Sequence, residues 1–358
     1  MNSKYQLTKI QSQSVDKLYG KISSILEYAK SKILQEANER LIESNFRIGK
    51  TIVEEEQGGI EKAEYGAGVM YNLSKKLTAQ YGRGYSVDTL ERIRKFYLEY
   101  KDFEGDLRKL QLSWSHYLFL IKIKDTDKRN FYERESEAEK WKLNVMKRHF
   151  DSGLYERLAI SKNPEKVKEL AEIGQQVNSP YDLVKNNYVL EFVANELVNS
   201  YSESDLETAL VNNLEKFILE LGKGFSFVGR QVRIGGSEDA LRVDLVFYNR
   251  LLKSHFLIDL KIGELKHGDI GQMQVYKKYF DEEIKQPWEN KTVGLVLCVV
   301  RDQFIVKYMP DDEYLFTSEY QLYLPSKEDL AILQERIKNQ IEVIEGENPE
   351  IESNESPE

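Results

Sequence analysis

The chain has 358 residues, 41 % hydrophobic and 31 % charged, with a formal net charge of −9. That length and apolar content supply more than one packed core and exclude a wholly disordered chain. The single cysteine, Cys298, excludes an intrachain disulfide framework and a cysteine-based zinc site. No apolar run reaches the roughly 18 residues of a membrane span, and the segment MNSKYQLTKIQSQSVDK has no apolar signal core. The expected location is therefore cytoplasmic and reducing, with no membrane contact. The charge is uneven: residues 1–160 carry a small basic excess, whereas 342–358 hold seven Glu and no basic residue. That acidic tail is expected to be disordered.

In chain order, residues 14–57 predict a long helix, broken near Ile42, with Leu18, Ile22, Ile25, Leu26, Ala29, Ile33 and Ala37 at helical spacing. Gly58 and Gly59 end it. A second helix opens around Tyr65–Gly68, a turn follows at Tyr81–Tyr85, and Ser86 is the expected N-cap of a third. Leu90, Ile93, Phe96, Tyr97 and Tyr100 then form its inner face. Helix, glycine-containing turn and helix resemble a helix-turn-helix, and Arg92, Arg94 and Lys95 on the second helix suit contact with phosphates or bases. A solvated face on a helical bundle explains the same residues. Leu112–Ile123 predicts a mostly buried helix, Asp125–Glu139 a charged one, and Trp141–Ala159 an amphipathic one. His116 and His149 read as packing or hydrogen-bonding residues.

The expected domain organisation is a helical region over 14–160 that binds DNA or a partner, a polar linker over 161–185, a second domain over 186–341 and the acidic tail 342–358. Asn187–Leu197 predicts a short helix. From Asp205 the pattern changes: a helix to Leu221, a strand Phe225–Ile234, strands Leu241–Tyr248 and Ser254–Leu260 joined by a hairpin, a helix Asp269–Phe280, and an apolar strand Thr292–Val300 that suits the middle of a sheet. Gln303–Tyr308 and Tyr320–Leu322 read as edge strands, and Ser326–Ile344 as a helix. The order α-β-β-β-α-β defines an α/β domain after an all-α one.

Within this order Asp244 and Asp259 each interrupt an apolar strand, and Lys261 shares a strand face with Asp259. Acids in that setting are costly unless paired or bound to a cation. A hairpin turning near Arg250 sets the two acids on adjacent strands, where both could share one Mg²⁺ with the Leu260 carbonyl as a further oxygen. Lys261 stands beside them, able to orient water or balance charge. Glu215, on the preceding helix, is a candidate third carboxylate. The bland alternative for the two acids is a structural ion pair with Lys261 or Arg242.

The array Asp244, a spacer, then Asp259-Leu260-Lys261 resembles the PD-(D/E)XK nuclease superfamily, and within it the YhcG-like nucleases. The resembling words are LGKGFSFVGRQVRI, VDLVFYNRLLKSHFLIDLKIGELK, GQMQVY and VGLVLC, with YGAGVMYNLSKKL, YGRGYSVDTLERIRKFYLEY and LSWSHY in the helical region. The resemblance spans roughly residues 15–335. It implies a restriction-endonuclease-like core and a Mg²⁺-dependent endodeoxyribonuclease in which Mn²⁺ can substitute. Asp244 and Asp259 would be metal ligands with Glu215, Lys261 the catalytic lysine, and Gln272 and Tyr276 helix residues facing the site. The second acid is usually Glu in this family; here it is Asp, one methylene shorter. DNA is the implied substrate and a homodimer the implied assembly, with a protein partner open to the helical region. The rival readings are a nuclease-fold module that binds nucleic acid or a partner without efficient cleavage, and a scaffold within a defence complex.

Overall fold

The computed structural model describes residues 9–57, 63–160, 164–197, 200–235, 241–335 and 337. The helix expected over Ser326–Ile344 falls partly, and the acidic tail wholly, outside them. Two compact units are distinguished, Met1–Arg129 with Ser136–Leu143, and Asn130–Glu135 with Asn144–Glu358.

The first unit is helical. α1 (Lys9–Gln57) runs 49 residues without the break expected near Ile42. The reason is burial: Ile42, Phe46, Ile52 and Val53 begin a face that packs inward, so Ile42 starts a contact where a kink was expected. Gly49 allows α1 to close on α3 (Val87–Tyr100), since a Cβ there would stand 2.6 Å from the Ile93 carbonyl oxygen. Phe46 meets Tyr97 edge-on at 5.1 Å. α2 (Ala63–Tyr81) precedes α3, and the Ser86 hydroxyl caps α3 by accepting from the Thr89 amide at 3.2 Å. The inner face of α3 is the expected one: Leu90, Ile93, Phe96, Tyr97 and Tyr100 are buried. α4 (Trp114–Leu120) lies within the segment expected to be buried helix. His116 bridges Ser113 Oγ at 2.6 Å and the Trp141 carbonyl at 3.2 Å, as a hydrogen-bonding residue would. α5 (Thr126–Ala138) follows, with its residues 130–135 counted in the second unit.

In the second unit the amphipathic stretch 141–159 is two helices, α6 (Leu143–Asp151) and α7 (Leu154–Ala159), because Gly153 turns the chain with φ +64°. The segment expected to be a linker holds α8 (Pro164–Ile173). Asn187–Leu197 is not a helix. It opens with β1 (Asn187–Val189), a parallel edge strand against β6 (Leu315–Gln321). The buried Tyr188 and Val189 prefer a pleated surface.

Among the described residues one sheet runs in the order β1-β6-β5-β4-β3-β2. β2 (Phe225–Ile234), β3 (Leu241–Asn249) and β4 (Ser254–Leu260) form an antiparallel meander. β5 (Val293–Cys298) joins β4 in parallel and is buried at every position, as its apolar run predicts. The helix expected over 205–221 is two, α9 (Glu203–Asn212) and α10 (Leu214–Leu221). Asn213 leaves helical geometry, and its backbone N–H and side-chain amide both donate to the Ala209 carbonyl, at 3.1 and 3.0 Å, closing the end of α9.

α9 and α10 pack Leu206, Leu210, Phe217 and Leu221 with Phe247, Phe256, Ile258 and Leu295. In a second core α11 (His267–Tyr279) sets Ile270, Met273 and Tyr276 with Val246, Leu257 and Val296. Each such side chain contributes about 1.5–3 kcal/mol by leaving water. Gly294 lets α11 lie close, since a Cβ there would sit 2.6 Å from Met273 Cγ. Gln303–Tyr308, expected as an edge strand, is α12: Asp302 caps it by accepting from the Phe304 and Ile305 amides.

A charged group sits at the heart of this unit. Glu220 is fully buried on α10, with Arg157 Nη1 at 2.5 Å and Arg148 Nη1 at 3.2 Å from its carboxylate. Lys185 donates to the Glu220 carbonyl, and Arg148 also pairs with Glu191 at 2.9 Å. Burial opposes the charge on Glu220, but Arg157, Lys185 and Arg148 outweigh it and hold its carboxyl far below the usual range.

Candidate active site

The antiparallel register pairs Leu245 with Ile258. One step further along the same register, Asp244 stands opposite Asp259, so the two carboxylates leave the same side of adjacent strands. Asp259 is buried, with 2 % of its surface exposed, and follows the alternation in which Phe256, Ile258 and Leu260 serve the α9–α10 core and Leu257 the α11 core.

Asp244 is held rather than free. Its Oδ2 accepts from the Leu260 amide at 2.8 Å and its Oδ1 from the Gln231 side-chain amide at 3.0 Å. Lys261 Nζ lies 2.8 Å from Asp259 Oδ2 and 3.6 Å from Glu203 Oε2. The Lys261–Asp259 contact has ion-pair distance without hydrogen-bond alignment, so Asp259 Oδ2 remains a buried oxygen with no hydrogen bond among the described residues. Burial and then the charge of Asp244 push the Asp259 carboxyl up to about 7, against the pull of Lys261. Burial works against the ammonium of Lys261, yet Asp259, with Glu203 and Asp244, keeps its pKa above the ordinary lysine value.

Gln272 and Tyr276 are joined to each other: the Gln272 amide donates to the Tyr276 hydroxyl, which donates to the Arg242 carbonyl at 2.8 Å. Tyr276 is fully buried, and burial raises its pKa. The pair therefore ties α11 to β3 two residues before Asp244. Glu215 is placed differently. It is exposed in the first turn of α10 and stands outside the hydrogen bonds and ion pairs that connect the others.

The helix acids that do reach the site are Glu207 and Glu203, one turn apart on α9. Glu207 is buried and accepts from the same Gln231 amide that holds Asp244. Burial raises its pKa, opposed by the Gln231 hydrogen bond, with Asp244 adding to the rise. Sequence reasoning missed both residues because it took the helix as unbroken. The buried Glu207 among Leu206, Ala209 and Leu210 was the available signal.

Among the described residues no group of three or more His, Cys, Asp or Glu side chains is arranged to hold a metal. The structure thus brings together two of the three carboxylates expected as ligands. Those two suit a hard divalent cation: both offer oxygen, they repel each other, and one oxygen is buried without a hydrogen bond.

An α/β core that places two acids and a lysine at adjoining strand ends defines a PD-(D/E)XK-type site. The comparisons show the class of the domain. Residues 181–338 match the YhcG PDDEXK nuclease domain, and residues 21–157 match the DUF1016 N-terminal domain. The chain is 33 % identical to "Putative nuclease YhcG" of Escherichia coli (strain K12), over 91 % of this chain and 94 % of that protein. It belongs to the YhcG nuclease family. Two solved structures share 17 % identity over 36 % of this chain: an EndoMS complex with double-stranded DNA (TM-score 0.25) and a repair endonuclease from Pyrococcus abyssi (TM-score 0.23). The matches span 48 % and 50 % of those chains. Among the described residues no helix is long and apolar enough to cross a membrane.

Proposed function

We propose that the protein is a divalent-metal-dependent endodeoxyribonuclease, working in the cytoplasm in DNA processing or defence, with Mg²⁺ as cofactor and Mn²⁺ able to replace it. The observation that carries this reading is the meeting of Asp244 and Asp259 across one strand pair, with Lys261 Nζ 2.8 Å from Asp259. Asp244 and Asp259 would hold the ion, with the Leu260 carbonyl as a further oxygen. When bound, the ion supplies charge neutralisation at the scissile phosphate. Lys261 stays protonated at neutral pH and is a donor for orienting a water or balancing charge on phosphate oxygens. Gln231 fixes the rotamer of Asp244, and Glu207 fixes Gln231. Gln272 and Tyr276 position β3 from α11. The helical region would bind DNA or a protein partner, and the active assembly would be a homodimer.

The test is a cleavage assay on linear, plasmid, nicked, branched and single-stranded DNA and on RNA, with Mg²⁺ or Mn²⁺. Wild type should cut DNA, and Asp244→Ala and Lys261→Ala should not. All substrates left intact by wild type would overturn the proposal. A second reading, a nuclease-fold module that binds nucleic acid or a protein partner with little cutting, is favoured by the two-carboxylate site. It requires DNA or partner affinity that is unchanged in Asp259→Ala and independent of metal.

A further inference from the structure

The first half of α1 carries an apolar stripe that its own unit does not cover. Val15, Leu18, Tyr19, Ile22, Ile25, Leu26 and Ile33 are exposed, from 47 % at Ile22 to 72 % at Tyr19; Tyr28 and Leu34 are exposed as well but lie off the stripe formed by these seven. At about 100° per residue these seven fall within an arc of roughly 120°. The inward residues of the second half, Ile42, Phe46 and Val53, lie on roughly the opposite side. The stripe is therefore a second face, not a frayed continuation of the first.

We propose that this stripe pairs two copies of the chain through an antiparallel α1–α1 coiled coil. Val15, Tyr19, Ile22, Leu26, Ala29 and Ile33 are spaced 4-3-4-3-4, the alternation of a coiled-coil seam, with Leu18 and Ile25 widening it. A two-fold axis at the level of Ser24 sets Val15 against Ile33 of the second copy, Tyr19 against Ala29, and Ile22 against Leu26. Every layer then joins two side chains from opposite ends of the stripe, and the largest faces the smallest. Asp16 comes beside Lys30 of the second copy. Parallel pairing instead stacks Tyr19 on Tyr19 and leaves a gap at Ala29 on Ala29, with no opposite-charge pair along the seam. The exposed area of the seven large side chains is on the order of 800 Å² per copy, what one partner contributes to a stable interface. Such a pairing is isologous and closes on itself as a dimer.

The proposal gives the homodimer its surface but does not rest on the nuclease reading, since it is measured without nucleic acid or metal. Full-length protein on size exclusion with light scattering should be a dimer. Ile22→Glu with Leu26→Glu, both exposed positions, should give a monomer with unchanged circular dichroism and melting. Cys298 is buried, so introduced thiols report alone. Val15→Cys with Ile33→Cys in one chain should form a covalent dimer on oxidation, and either single change should not. A monomeric wild type, a dimer that survives the double glutamate change, or cross-linking by Val15→Cys alone would each overturn it.

Discussion

Gln231 stands opposite Asp244 on the neighbouring strand and holds two acids with one amide. The register that pairs Arg230 with Leu245 and Val232 with Val243 fixes this position. Gln231 adopts φ +49°, a left-handed conformation for a non-glycine residue, and its Nε2 donates to both Asp244 Oδ1 and Glu207 Oε2. The strain is of order 1–2 kcal/mol, stored beside the residue on which the site depends. Gln231→Gly should relieve the strain and forfeit the amide. Melting should then shift little, because relief and the roughly 1 kcal/mol entropy cost of glycine offset each other, while DNA cleavage falls about tenfold. A large fall in melting temperature with full activity would contradict this role.

Asp244→Asn keeps the shape of the side chain and removes the charge, but its amide nitrogen cannot accept, so one of the two bonds from the Leu260 amide and the Gln231 side chain is lost. Cleavage should fall by about 100-fold or more, the usual scale for losing one charge-stabilising group. Stability should fall modestly, by about 1 kcal/mol for the lost hydrogen bond, and DNA affinity in the absence of metal should not fall. Gel-based cleavage rates and thermal scans on the same preparations separate these outcomes.

The raised pKa of Asp259 gives the site a pH signature. With its carboxyl at about 7 in the native protein and near 3.8 when unfolded, the folded chain holds a proton between those values that the unfolded chain has lost. Raising pH through that window therefore destabilises the metal-free protein. Asp259→Asn should remove this dependence, so its stability relative to wild type should grow from pH 5 to pH 8. The same proton must leave before Asp259 binds a cation, so apparent Mg²⁺ affinity should weaken about tenfold per unit below pH 7. Thermal scans with and without metal across pH 5–8 check both.

Glu220→Gln should be severe. It leaves Arg148, Arg157 and Lys185 converging on a neutral amide in a buried place, which typically costs about 3–5 kcal/mol. Chemical denaturation should show it. Because the three cations hold the Glu220 carboxyl ionised, the wild-type network should outlast mild acid, and the deficit of the variant should persist down to about pH 4.

The strands and the acids they carry were legible because both signals are local. Alternation and apolar runs announced β2 to β5, and Asp244 and Asp259 stood out as acids that break them. Ser86 was legible as a cap for the same reason. Elements decided by one polar side chain were not. Asn213 splits a helix whose apolar spacing runs straight through it, and that split brings Glu207 to the site in place of Glu215. Asp302 turns QFIVKY into a capped helix although its composition suits a strand equally well. β1 is three residues long and exists only because β6 offers it an edge, a long-range partner that no local pattern encodes. Gln231 carries no local signal of its role: its hold on Asp244 depends on a backbone angle that residue type does not announce.

Glu203 adds a third acid to Asp244 and Asp259 near the Lys261 ammonium, and Glu207 adds a fourth through Gln231. A polyanion approaching such a place meets repulsion first. On the proposed nuclease reading, a cation would therefore have to arrive ahead of the nucleic acid. Such a site would guard itself: without its ion it would repel the polymer it is proposed to cut, and ion supply would control both entry and chemistry.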